Sequence, residues 1–173
     1  PRITLDEMES LSENIILTSA CLGGPLNDGT DEVKQRVIEY FTKHRDRCFF
    51  EIQHHCVDEQ CRYNLYLQDL SHKTGVRLIA GTDTHSLNEK LAKARVILQK
   101  SKKVYFEGED GWDLTFKTYD ELVEAYRKQG VLDEEIVKEA IANTCVVRDS
   151  VEEFALDTSP KYPKLYKDSE KAF

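Results

Sequence analysis

An α/β fold built on parallel strands is what this sequence predicts, and three observations predict it. Strand-like and helix-like segments alternate over the first two-thirds of the chain in the order β-α-β-α-β. The run Val76-Arg77-Leu78-Ile79-Ala80 is apolar enough to read as a buried parallel strand. From Thr118 onward the pattern changes to two consecutive helices, which close the α/β part.

Each element has its own signal. Thr4-Leu5-Asp6-Glu7 has the form of a capping box opening a short helix. A first strand is expected over 14–20, ending at Cys21 and the turn Gly23-Gly24-Pro25. From about Asp31 to Arg47, Val33, Val37, Ile38 and Phe41 share one helical face, leading into a second strand over 48–53. Tyr63, Tyr66, Leu67 and Leu70 mark a helix from about Asp58, closed near Gly75 before the Val76 strand. A third helix is expected from roughly Asn88 to Lys100. It is followed by a turn-rich stretch over 107–111 and a short strand over 112–117. Thr118-Tyr119-Asp120-Glu121 is a second capping box, with Tyr119, Leu122, Val123 and Tyr126 on one face, and a last helix runs from Asp133 to about Val147. Residues 157–173, with Pro160 and Pro163, read as an extended connector after a domain over 1–156.

Composition narrows the classes of function. At 173 residues the chain is one domain or part of one, short of the roughly 250 typical of a complete barrel. No run approaches the ~20 apolar residues that span a bilayer, so no membrane partner is expected. The chain opens at Pro1 without Met or a basic-then-apolar leader, so it is expected to begin mid-sequence and not to be secreted. Five irregularly spaced cysteines argue for reduced thiols and a cytoplasmic setting. A net charge of −8 disfavours non-specific binding to phosphates. The local basic run Lys90, Lys93, Arg95, Lys100, Lys102 and Lys103 reads as a solvated helix face.

In parallel α/β architectures functional groups gather at the carboxyl ends of strands. The first strand ends in Cys21, the second carries Glu51 with His54 and His55 beyond it, and the third ends in Asp83-Thr84-His85. Residues two apart on extended backbone point the same way, so Asp83 and His85 converge. Thiolate, carboxylate and imidazole suit zinc and tolerate iron or manganese. The plainer alternatives are a helix-capping Asp83, a surface His85, a small buried Cys21, a Glu51 paired with lysine, and His54 and His55 as ordinary loop residues. His44 and His72 fall on charged helix faces and are not candidates. Cys56 and Cys61 beside two histidines make a poor zinc knot. A Cys21–His85 nucleophilic pair lacks an oxyanion-hole argument beyond Gly23-Gly24, and no Walker-type glycine loop occurs.

Taken in order, these segments resemble the PHP (polymerase and histidinol phosphatase) domain of bacterial DNA polymerase III alpha subunits. Residues 15–24 are similar to that family's strand running into Ser-Gly-Cys-Leu-x-Gly, with Ala20 in place of the usual glycine. Phe49-Phe50-Glu51-Ile52-Gln53 with His55 resembles Phe-x-Leu-Glu-Ile-Gln, and Gly81-Thr82-Asp83-Thr84-His85 resembles Thr-Asn-Asp-x-His-Tyr. Phe116-Lys117-Thr118 through Tyr126 is similar to the family's Leu-Lys-Ser-x-Glu-Glu-Met helix. Ala142-Asn143-Thr144 and Pro160-Lys161-Tyr162-Pro163 resemble its Glu-Asn-Thr and Leu-Pro-x-Phe-Pro marks.

The resemblance implies the C-terminal part of a distorted (β/α)7 barrel whose cleft holds up to three divalent ions, zinc foremost, with manganese or iron as alternatives. Cys21, Asp83 and His85 match the last three metal ligands; Glu51 and His55 would line the cleft, and no residue is assigned a catalytic role. The family's opening His-x-His is absent here, Ala92-Lys93-Ala94 stands where a His-Asp pair is usual, and Ser86 replaces a common tyrosine. The implied parent is a replicative DNA polymerase whose PHP region binds metal and hydrolyses phosphodiesters as a phosphoesterase or 3'-5' exonuclease. Its partners would be DNA and other replisome subunits. The alternatives are a non-catalytic docking module within the polymerase, or a stand-alone phosphoesterase of the histidinol phosphatase kind. Half a barrel leaves sheet edges and apolar faces open, so self-association is expected.

Overall fold

A computed structural model of the chain describes residues 3–104, 112–153 and 155–160. Helix α1 (Leu5–Glu9) opens on Thr4, whose hydroxyl accepts from the Glu7 N–H while the Glu7 carboxylate accepts from the Thr4 N–H, completing the expected capping box. Strand β1 (Leu17–Thr18) is shorter than the sequence suggests. Two local causes shorten it. The Ile15 N–H turns back to the Ser12 carbonyl, and the Ile15 carbonyl accepts from the buried Arg47 guanidinium at 2.7 Å instead of from a strand partner. At the other end Ala20 lies in the left-handed region at φ 59°.

The sequence reading missed α2 (Pro25–Asp28), a single turn with Pro at its first position, in the stretch expected only to turn. Helix α3 (Asp31–Lys43) stops at His44, short of Arg47, because residues 44–47 turn tightly into β2 (Cys48–Gln53). Helix α4 (Asp58–Thr74) ends at Gly75, whose φ of +72° suits a residue without Cβ, and leads into β3 (Arg77–Gly81). The three strands form one parallel sheet in the order β1-β2-β3, Leu17 opposite Cys48 and Phe50 opposite Leu78. The predicted β-α-β-α-β order is therefore present as a small parallel sheet.

Helix α5 (Glu89–Ser101) is capped by Asn88 and buries none of its residues, in keeping with a solvated basic face; Leu91, Ile97 and Leu98 are exposed on it as well. Instead of the expected strand over 112–117 there is one isolated parallel bridge, Ser86 to Thr115. The turn-rich residues 107–111 and the tail beyond 160 lie outside the described residues. Helix α6 (Tyr119–Gln129) starts with the second capping box, Thr118 and Glu121, and α7 (Glu134–Ser150) follows Asp133.

Alternation along the strands separates two faces. Cys48, Phe50 and Ile52 of β2, with Leu78 and Ala80 of β3, join the core with Val37 and Phe41 of α3, Leu67 and Leu70 of α4, Tyr126 of α6, and Val137 and Ala140 of α7. Phe41 stacks on Phe50 at 5.8 Å. Polar side chains tie the helices to strand carbonyls: the Tyr126 hydroxyl donates to Ile52 O at 2.8 Å and Asn143 Nδ2 to Leu78 O at 2.8 Å. The opposite face carries Phe49, Glu51 and Gln53 of β2 and Ile79 and Gly81 of β3. Arg77 lays its guanidinium over the Phe49 ring at 4.7 Å.

The end of β2 is held by side-chain amides, those of Asn64 and Gln60 buried and that of Gln129 half-buried. Asn64 Nδ2 donates to Gln53 O at 2.8 Å and to Gln129 Oε1 at 2.9 Å; Gln129 Nε2 donates to Gln53 O and to His55 O. Asn64 Oδ1 accepts from Gln60 Nε2 and the Gln53 N–H. Replacing Asn64 with alanine strips this network and leaves buried groups unpaired, so Asn64→Ala should cost about 2–3 kcal/mol in urea unfolding. Ala20→Gly should do the reverse. Relief of the left-handed penalty outweighs the added freedom of the unfolded chain, giving about 0.5–1 kcal/mol of stabilisation by the same measurement.

Candidate functional site

The site is assembled from the ends of the three strands. Glu51 lies on the sheet face away from the core helices. Its carboxylate accepts from the Thr18 hydroxyl at 2.8 Å and from Gln53 Nε2 at 3.0 Å, so its described partners are neutral groups and not a lysine. Gly81 makes room for it: a Cβ built there would stand 2.2 Å from Glu51 Oε1. Cys21 is half-buried just past β1, and Tyr63 of α4 is buried within electrostatic range of it and of Glu51. Burial pushes the Tyr63 phenol up to about 12, and Cys21 and Glu51 are near enough to add to the rise.

Asp83 and His85 follow β3. Asp83 adopts φ 46°, a left-handed conformation uncommon outside glycine, asparagine and aspartate. His85 Nδ1 is 2.8 Å from the Asp83 backbone carbonyl. A carbonyl only accepts, so Nδ1 carries the proton in this hydrogen bond and Nε2 presents its lone pair. Asp83 Oδ1 stands 3.7 Å from His85 Nδ1, and Asp83 Oδ2 stands 3.6 Å from Nε2 of the fully buried His55. Three of the five residues singled out from the sequence, His55, Asp83 and His85, thus meet around one carboxylate. Glu51 and Cys21 belong to the β1–β2 side. Among the described residues no three Cys, His, Asp or Glu side chains stand close enough to share one ion.

His54 and His55 are buried, not loop residues at the surface. Their rings lie 4.8 Å apart; His55 stacks on Trp112 at 4.6 Å, and His54 meets Tyr126 edge-on. Trp112 had no functional signal in the sequence, because its contact with His55 spans residues far apart in the chain. The two histidines border a cavity of about 840 Å³ that is also lined by Trp112, Phe116 and Lys117. The residues set aside behave plainly: His44 caps α3 against Tyr40, and Cys56 is exposed.

Burial, with a contribution from neighbouring His55, pushes His54 down to about 4, and burial lowers His55 too. The sign follows directly. The unfolded chain takes up protons on these rings near pH 6.5 while the folded chain does not, so stability is complete above that pH and falls as pH drops from 6.5 towards 4. Urea unfolding should show a loss of about 1 kcal/mol per pH unit across that window. In His54→Phe the loss should be visibly shallower; an unchanged slope would count against this assignment.

No protein-family model matches the chain. Among curated proteins it is similar to the DNA polymerase III subunit alpha of Borreliella burgdorferi, at 26% identity over 168 residues, covering 90% of this chain and 14% of that protein. It is also similar to the DNA polymerase III subunit alpha of Thermus aquaticus, at 30% over 118 residues, covering 65% of this chain and 10% of that protein. A probable DNA polymerase of Bacillus subtilis is 25% identical over 191 residues, covering 95% of this chain and 14% of that protein. The chain thus spans 10–14% of the length of these relatives. It is related to a region of DNA polymerase III alpha subunits.

Proposed function

We propose that the chain is the C-terminal part of a PHP domain in a replicative polymerase of the DNA polymerase III alpha kind. In this reading Cys21, Asp83 and His85 contribute to a divalent-metal site that acts on phosphodiesters. The observation that carries it is the pairing at the end of β3. There the Asp83 carboxylate stands beside the Nδ1 edge of His85, and the backbone bond to Nδ1 leaves Nε2 free, the tautomer a metal ligand needs. The left-handed backbone at Asp83 adds support, since strain of this kind concentrates at functional sites. So does Ala20: the resembled pattern has glycine there, and the position is left-handed.

The donor set suits zinc, with manganese or iron as alternatives. When bound, such an ion supplies an acidified water and stabilises charge on phosphate oxygens. The chain's own contribution is orientation: His85 is held by its backbone bond, and Glu51 is fixed between Thr18 and Gln53 beside Gly81. The remaining ligands of such a cleft, the polymerising carboxylates, and the contacts with DNA and other replisome subunits would belong to the rest of the parent protein.

A second reading is a docking module of the polymerase without catalysis, which includes self-association. It is favoured by the lack of a three-ligand cluster among the described residues and by the exposed Leu91, Ile97 and Leu98 on α5. Elemental mass analysis of chelator-free protein separates the two. The first predicts bound metal that is lost in Asp83→Ala. The second predicts none in either protein, together with a dimer or larger species by light scattering.

A further inference from the structure

His55 is a buried side chain whose surroundings call for an explanation. It is fully buried, yet neither ring nitrogen has a hydrogen-bond partner, a state that is costly in a folded protein. The ring is also held in place. Trp112 stacks on it at 25° between planes, His54 lies against it, and its backbone carbonyl is fixed by Gln129 Nε2 at 2.8 Å. Nε2 points to Asp83 Oδ2 at 3.6 Å, just beyond hydrogen-bond length, while Asp83 Oδ1 faces His85.

We propose that His55 is the positioning residue for Asp83: its Nε2–H donates to Oδ2 and fixes the carboxylate, leaving Oδ1 as the oxygen available to an ion. This rests on the metal-site reading above. A ligating carboxylate is itself commonly hydrogen-bonded, because a fixed carboxylate loses less freedom when it coordinates. Asp83 needs such a partner more than most, since its left-handed backbone departs from the line of β3 and does not by itself aim the side chain. The ring is buried, and Asp83 Oδ2 is 3.6 Å from its Nε2.

Two measurements test the assignment. Long-range proton–nitrogen spectra of the nitrogen-15-labelled chain, without metal, report which ring nitrogen carries the proton. Nε2–H is expected for His55, with its resonance displaced in Asp83→Ala; an Nδ1–H ring indifferent to that substitution overturns the proposal. Zinc affinity, read by competition with a chelating dye, should fall roughly 10–100-fold in His55→Phe, which keeps the stack on Trp112 but has no donor. His55→Gln, which keeps an N–H, should recover much of the loss, and wild-type affinity in His55→Phe overturns the proposal. A wild-type chain that binds no zinc would refute the metal-site reading instead, and the spectra would then decide alone whether His55 fixes Asp83. The spectra also decide if His55→Phe fails to fold.

Discussion

The arrangement at the strand ends depends on the side-chain amides around Asn64. A parallel strand that ends inside a protein leaves carbonyls without ladder partners, and each must find a donor or incur a desolvation cost. In this chain the carbonyls of Gln53 and His55 receive theirs from Asn64 on α4 and Gln129 on α6. One residue from each helix therefore sets where β2 stops, and so where His54 and His55 turn into the interior. Asn64 Oδ1 also takes the Gln53 N–H and Gln60 Nε2, so all the polar atoms of the Asn64 amide are engaged and it has little freedom to shift.

The two faces of the sheet carry out different tasks. The face towards α3, α4 and α7 is an ordinary apolar core, with Phe50 and Ile52 fully buried. The other face mixes Phe49 under Arg77 with Glu51 and Gln53, and reserves a glycine at position 81 so that the Glu51 carboxylate lies flat against β3. Carboxylate chemistry is thus concentrated on the side that the core helices do not cover. Two of the three left-handed non-glycine residues among those described, Ala20 after β1 and Asp83 after β3, sit where the chain leaves that sheet; the third, Lys103, follows α5.

Similarity to polymerase subunits and local geometry bear on different questions. Two of the relatives match nearly the full chain and the third 65% of it, each over only a small part of its own length, so they speak to ancestry and not to what this segment does alone. The geometry speaks to chemistry: one carboxylate between a buried and an exposed imidazole, with the exposed ring's tautomer set by a backbone carbonyl.

Local signals were legible without any structure. The capping boxes at Thr4 and Thr118, the glycine stop at Gly75 and the boundaries of β2 all depend on residues a few positions apart, where spacing and propensity dominate. Asp83 and His85 do stand close, but not by extended backbone as expected: β3 ends at Gly81 and Asp83 is left-handed. The length of β1 was not legible, because Arg47, more than thirty residues away, takes the Ile15 carbonyl. Nor were the burial of His54 and His55, the stack of His55 on Trp112, or the place of Glu51 under Gly81. Composition and periodicity determined that this chain makes a parallel α/β unit with carboxylate and imidazole at its strand ends. Which of those groups meet was decided by the tertiary structure alone, since it depends on strand register and on side chains from distant helices competing for the same carbonyls.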